Sequence, residues 1–350
     1  MIRPRLVAIG LALFLGIWLV DSPLHDVGAF GSRPALAAAL TALMAFWWIS
    51  EALPMYWTAC LPLVVVPLSN LHGDSLLANA KGAFLPYLDP YVFLFLGGMG
   101  IAAAMQQWNL HRRIALTIMG AIGTEPRRLL LGLLLATAFV SLWISNTATA
   151  AMMFPIGLAI IAEFEHQAGR RLQGYGAALM LAIAYAANLG GTGTKIGTVP
   201  AAQLSGFMAQ RGREIDFLDF MLIGVPFATV FLFVVWVALW RMGRHDAPDA
   251  ASGSHALESE RARLGTIQPA EWIVLSVFLA AALAWISGRP LTAMLQAAGI
   301  PATTALVEAG AALLASLTLM LARANGRAVL EPRSLRTLQW KTLLLSLIHI

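Results

Sequence analysis

The stretch VSLWISNTATAAMMFP, residues 140–155, decides how the rest of the chain is read. It places Ser145, Asn146, Thr147 and Thr149 in the middle of a segment otherwise built for lipid. Residues 129–144 before it are apolar apart from two hydroxyls, and residues 150–162 after it are apolar throughout. Ser, Asn and Thr hydrogen-bond locally and favour caps and turns over helix interiors. Two apolar arms meeting at such a turn predict a helical hairpin, about 128–163, with its tip inside the membrane. Non-helical backbone is tolerated at that depth only where it is buried in protein or lines a watery cavity. The competing reading is an ordinary polar connection between two spanning helices.

Composition extends this reading to the whole chain. Hydrophobic residues make up 59% and charged residues 12%, where a soluble domain carries about 25% charge. The deficit runs along the full length, so the chain is expected to be an all-α polytopic membrane protein. The formal charge of +5 is no sign of nucleic-acid binding, because the basic residues sit in short gaps between apolar runs. The single cysteine, Cys60, excludes an internal disulfide and a multi-cysteine metal site. The start, MIRPRLVAIGLALFLGIWLV, has the basic-then-apolar form of a signal peptide. No A-x-A-like cleavage site follows, and it reads as a retained first helix.

Candidate spans lie at 6–20, 34–49, 57–68 and 91–105, then the two hairpin arms, then 174–189, 217–240, 272–286 and 303–321. Several are shorter than the roughly 20 residues that cross a bilayer untilted, with Trp57, Tyr91, Trp240 and Trp272 as interfacial anchors. Basic residues set the orientation. With the amino terminus in the cytoplasm, inner loops hold Arg3, Arg5, Arg112, Arg113, Arg127, Arg128, Arg170, Arg171, Arg241, Arg244, Arg261, Arg263, Arg323, Arg327, Arg333, Arg336 and Lys341. Outer loops hold only Arg33, Lys81, Arg211, Arg213 and Arg289. The positive-inside rule favours this topology. A re-entrant hairpin contributes no net crossing and a spanning pair contributes two, so charge does not choose between them. Residues 241–270 are polar without apolar period and read as a flexible cytoplasmic linker. The linker separates a first membrane bundle, 1–240, from a further membrane segment, 271–350.

A second unusual stretch is ANLGGTGTKIGTVP, residues 187–200. Its four glycines and three threonines do not continue a stable helix. A helix broken in this way, about 174–205, is the device by which transporters present carbonyls to a cation and helix amino termini to an anion at the midplane. No G-K-[ST] and no preceding strand are present, so it is not a Walker phosphate loop. The alternative is a glycine-rich outer loop.

Four stretches in order resemble the divalent anion:sodium symporter family, carriers of dicarboxylates, citrate and sulfate. They are WWISEALPMYWTACLPLVVVPL (47–68), FLFLGGMGIAAAMQQWNLHRRIAL (93–116), SNTATAAMMFPI (145–156) and NLGGTGTKIGTVP (188–200). The resemblance implies two inverted repeats, each giving a hairpin tip and a broken helix to a midplane site, in a homodimer that works by an elevator movement. By position, Ser141, Ser145, Asn146 and Gly197 would hold a sodium ion, and Asn146, Thr147 and Thr198 would face the substrate carboxylate or sulfate. Bound sodium would supply the positive charge that lets an anion enter low dielectric. The expectation is a sodium-coupled secondary carrier of a small dianion in a bacterial inner membrane, with no cofactor beyond its coupling ions.

Three departures bear on this expectation. Pro200 is followed by Ala201 and Ala202, where the family usually has Pro-Asn. Lys195 stands where the family is more often apolar or small. It would replace a sodium charge, bind the anion, or snorkel to the outer interface, and the first would make the protein a sodium-independent exchanger or proton-coupled carrier. A second Ser-Asn-Thr motif is absent, and the opening of a second repeat ends at LQWKTLLLSLIHI. This reads as a truncated gene, which would leave a non-transporting membrane fragment, with a natural half-repeat protein that dimerises to complete the site as the alternative. A carrier of arsenite or protons would want mid-span acids, for which only Glu51 and Glu308 are suitably placed. An intramembrane enzyme is not expected. H-E-x-x-H is absent, and His111 and His166 sit beside arginines at helix ends rather than near Ser145.

Overall fold

A computed structural model describes residues 3–20, 33–69, 71, 75–248, 252–334 and 340. These form an all-α membrane protein in which one short β-hairpin accompanies the helices. Among the described residues, five helices are long and apolar enough to cross a membrane: Arg33–Ser50, Asn146–Ala168, Phe217–Gly243, Pro269–Ile286 and Thr304–Leu321. The chain divides into two compact units, one the described parts of Met1–Val92 and Gln339–Ile350, the other those of Phe93–Leu338.

In the first unit, α1 (Pro4–Leu19) starts on a proline, whose missing N–H is one that a first turn leaves unbonded anyway. It packs on α2 (Arg33–Ser50), where Gly10 leaves room for the Trp47 indole, which donates to the Val7 carbonyl at 3.4 Å. The span expected at 57–68 is instead two short helices, α3 (Met55–Ala59) and α4 (Leu61–Val65), broken at Cys60. Pro62 accounts for the break, since it has no N–H to donate to the Thr58 carbonyl and its ring crowds that carbonyl. α5 (Leu76–Phe84) follows, capped by Ser75 Oγ. A 3-10 turn, Leu85–Leu88, then brings Tyr87 Oη to the Ala59 carbonyl at 2.7 Å.

The second unit is entered through α6 (Pro90–Gln107) and α7 (Leu110–Ile122). Next come α8 (Pro126–Ser141), α9 (Asn146–Ala168), α10 (Gln173–Gly191), α11 (Val199–Gln210) and α12 (Phe217–Gly243). The core joins Leu133 and Leu134 of α8, Ile156, Ile160 and Phe164 of α9, and Leu179 and Ala182 of α10, all fully buried. A Cβ on Gly190 would lie 2.6 Å from Ala138 Cα and closer still to its carbonyl oxygen. Here α10 meets α8 backbone to backbone. Asp246 reaches back to cap α10, accepting from the N–H of Gly174 at 2.7 Å and of Tyr175 at 2.8 Å.

The flexible linker expected at 241–270 is corrected in part. Residues 252–264 form a helix, α13 (Ser252–Leu264), and it is docked. Glu260 is buried and pairs with Arg112 of α7, and with Arg263 at 2.8 Å. Arg261 donates to the Leu116 carbonyl at 3.0 Å. The neighbouring pair Arg113–Glu271, at 2.6 Å, ties α7 to the start of α14 (Pro269–Ile286). α15 (Gly288–Ala297) and α16 (Thr304–Leu321) follow. A two-residue hairpin then pairs Arg323 with Ala328 across Asn325-Gly326, both at positive φ as a tight turn requires. Ser316 Oγ of α16 donates to the Gly97 carbonyl of α6 at 2.6 Å.

Candidate functional site

Residues 142–145 make the turn between α8 and α9, and residues 192–198 interrupt the line of α10 and α11. Both segments satisfy part of their backbone internally. Leu142 N–H returns to the Ala138 carbonyl at 3.1 Å, and Gly193 N–H to the Gly190 carbonyl at 2.9 Å. Side-chain bonds join the two segments, tie the helices that lead into them, and close the second loop on itself. Ser141 Oγ donates to the Ala187 carbonyl at 2.6 Å. Thr194 Oγ1 donates to the Leu142 carbonyl and accepts from Gly197 N–H at 3.1 Å. Gly197 lies so close to Gly191 that an added Cβ would be 2.8 Å from the Gly191 Cα and 2.9 Å from the Ser141 carbonyl oxygen. Only glycine fits there. Trp143 anchors the turn from the other side in an aromatic cluster, nearly parallel to Phe217 at 6.2 Å and to Trp285 at 6.3 Å and edge-on to Phe278 at 5.0 Å.

The Asn146 amide stands where these segments meet. One of its terminal atoms is 3.0 Å from the Ala187 carbonyl oxygen, 3.3 Å from that of Gly197 and 3.1 Å from Ser141 Oγ. The other is 3.1 Å from Asn188 Oδ1. With nitrogen turned inward, the amide donates to the carbonyls. With oxygen turned inward, four neutral oxygens converge with too few protons between them, a donor set suited to a hard monovalent cation. Among the described residues there is no group of three His, Cys, Asp or Glu side chains of the kind a transition metal needs.

The same corner carries two helix amino termini. Ser145 precedes α9 and Thr198 precedes α11, and neither side chain caps its helix. The first-turn N–H groups of both therefore remain without a side-chain acceptor, and the helix dipoles place positive potential there. A Cβ on Gly191 would meet both the Asn146 side chain and, at 2.9 Å, Thr198 Cγ2, so the two starts share one glycine as neighbour. Asn146 and Thr198 are half-buried, while Thr147 stands exposed in the first turn of α9. The structure thus brings together Ser141, Asn146, Gly197 and Thr198 from the expected set. Ser145 and Thr147 sit beside them on the turn and the first helical residues.

Lys195 does not snorkel to the outer interface. It is 1% exposed, and its Nζ donates to Glu308 at 2.9 and 3.2 Å. A buried ammonium without a counter-charge is too unfavourable to persist, and a carboxylate on α16 meets it. Three contributors escaped the sequence reading: Asn188, Thr194 and the Glu308 partnership. Asn188 and Thr194 lie within the glycine-rich stretch, where a run of hydroxyls and amides does not show which one points where. Glu308 was visible as an acid in an apolar segment, but its partner lies 113 positions away.

A family model described as citrate transporter matches residues 45–347, a range that takes in the turn, the break and α16. The chain belongs to the citrate transporter family. The resemblance carried by the four stretches is borne out, and the family is one of transporters rather than enzymes. Among similar proteins is the sodium-dependent dicarboxylate transporter SdcS of Staphylococcus saprophyticus. It is 38% identical over 288 residues, which are 80% of this chain and 53% of the relative. SdcS of Staphylococcus aureus is 39% identical over 256 residues, 71% of this chain and 48% of the relative. This citrate transporter family chain spans about half the length of the curated relatives it matches.

Proposed function

We propose that the chain provides one half of the binding site of a sodium-coupled secondary transporter for small dicarboxylates. The observation that carries this reading is the position of Asn146. Its side chain faces the carbonyls of Ala187 and Gly197, while its backbone opens the uncapped α9. Ser141, Ser145, Asn146 and Gly197 hold the cation in this reading. Asn146, Thr147 and Thr198 present N–H and hydroxyl donors to one carboxylate. The cation supplies the charge that these neutral groups lack, so binding of one ion raises affinity for the other. Neutral donors release the anion more readily than a buried ion pair would. Relatives named as sodium-dependent dicarboxylate transporters support the choice of ions. The wider assignment is a homodimer in a bacterial inner membrane, amino terminus inside, moving its site by an elevator displacement.

The deciding experiment is uptake of labelled succinate by the intact protein in proteoliposomes, with and without an inward sodium gradient, and with citrate and sulfate as competitors. Uptake should require sodium, and Asn146→Ala should abolish it while leaving membrane insertion unchanged. Equal uptake in sodium and in potassium overturns the coupling. Full activity of the Asn146→Ala variant overturns the site.

A further inference from the structure

We propose that Lys195 and Glu308 act as a positioning pair that holds the 192–198 loop against the hairpin turn and thereby sets the affinity for the coupling cation. This rests on the sodium-coupled reading above. Residues 192–198 read TGTKIGT. Two glycines in seven residues leave such a loop many conformations, and none of the threonines reaches α16 by its short side chain. Two consecutive residues remove that freedom in different directions. Thr194 ties the loop to the hairpin turn through the Leu142 carbonyl. Lys195, the loop's only charged residue, ties it to α16 through both Glu308 oxygens.

The anchor is itself held. Glu308 is 0% exposed, its Oε1 accepts from Phe217 N–H at 2.7 Å, and its main-chain carbonyl accepts from Trp285 Nε1 at 3.0 Å. The start of α12, α14 and α16 therefore fix where the ammonium can sit. Gly197, whose carbonyl faces Asn146, is two residues further along the loop. A buried pair of this kind stabilises no better than well-packed apolar side chains of similar volume, whereas removing one partner leaves an uncompensated charge. Its contribution here is to geometry. Lys195 is also thereby unsuited to bind the substrate directly, since its ammonium already faces a carboxylate.

Groups that orient metal ligands from behind typically change ion affinity by about 10- to 100-fold when removed. The test measures sodium half-saturation and succinate half-saturation separately, for the intact protein in proteoliposomes, with the amount of protein in the membrane quantified. Lys195→Met and Glu308→Gln should each raise the sodium half-saturation by about tenfold or more. The glutamine keeps an oxygen for Phe217 N–H while removing the charge and the Oε2 acceptor that face Lys195, so it breaks the pair and spares the rest of the anchor. The double variant should be no worse than the poorer single one, because both act through one contact. Lys195→Arg should restore affinity to near the starting value. Should Lys195→Met fail to insert, Glu308→Gln and Lys195→Arg read the same quantity.

Unchanged sodium half-saturation with uptake reduced only in proportion to protein amount overturns the proposal, as a purely structural pair would behave in that way. Multiplied effects in the double variant overturn it too. A shift in succinate half-saturation on Lys195→Met that Glu308→Gln does not reproduce would make Lys195 an anion ligand instead. Sodium-independent uptake by the unsubstituted protein defeats the coupling assignment, a result distinct from all of these.

Discussion

Among single residues, glycines separate contact from empty space most sharply. Gly190→Ala drives a methyl into the Ala138 backbone, which has no side chain to move aside. Overpacking of this kind costs about 1–3 kcal/mol or more, and the variant should lose uptake and melt at lower temperature. Gly310→Ala, in α16 with nothing within 4 Å of the added methyl, should instead leave stability unchanged or raise it by up to about 1 kcal/mol. Thermal melting in detergent compares the two directly. His111 offers a pH readout. Burial pushes its imidazole below the usual range, Arg112 adds to this, and the Met105 carbonyl 3.1 Å from Nδ1 opposes it. The unfolded chain titrates near 6.5, so below that pH it binds a proton that the folded protein refuses. Stability from this group is full above about pH 6.5 and declines as pH falls toward the depressed folded value. Melting temperature should drop between pH 7.5 and 5.5, and His111→Gln should flatten that slope. Asn146 was legible from sequence because an amide between apolar arms has few reasons to be there. Thr194 was not, since three threonines in one glycine-rich run look alike until the backbone aims them.

For elements, the two breaks were readable and the linker helix was not. Hydroxyl and glycine runs flanked by apolar helices mark a turn and an interruption, and these fall at 142–145 and 192–198. α13 sets only Leu257 and Leu264 into the core, too thin an apolar stripe to announce a helix, and charge supplies the rest of its hold. Glu260, Arg261 and Arg263 are ordinary linker residues until Arg112 and the Leu116 carbonyl are brought against them by the fold. Pairing across 148 positions leaves no local trace. Glu260→Ala should therefore release α13 and speed trypsin cleavage after Arg261 and Arg263, followed by mass spectrometry of the fragments. Slow cleavage equal to that of the unsubstituted protein would show that other contacts suffice. The cap on α10 predicts a second effect. Asp246→Ala leaves the Gly174 and Tyr175 N–H groups without their carboxylate and should lower stability by about 0.5–2 kcal/mol, read from the same melting assay.

On the scale of the whole molecule, apolar runs and the distribution of arginines made the membrane class and the expected orientation readable, while the pairing of distant charges stayed hidden. The orientation is tested with single cysteines in a Cys60→Ala background. Arg213→Cys should react with an impermeant thiol reagent in intact cells, and Arg170→Cys only after permeabilisation; the reverse pattern would invert the topology. The meeting of Gly190 with Ala138 also bears on how such a protein moves. Helices that slide do so across a layer of side chains that swap rotamers as they pass. No such lubricating layer separates α8 from α10 at this crossing. The hairpin and the interrupted helix are consequently locked at one spacing, so that any displacement of one would have to carry the other with it.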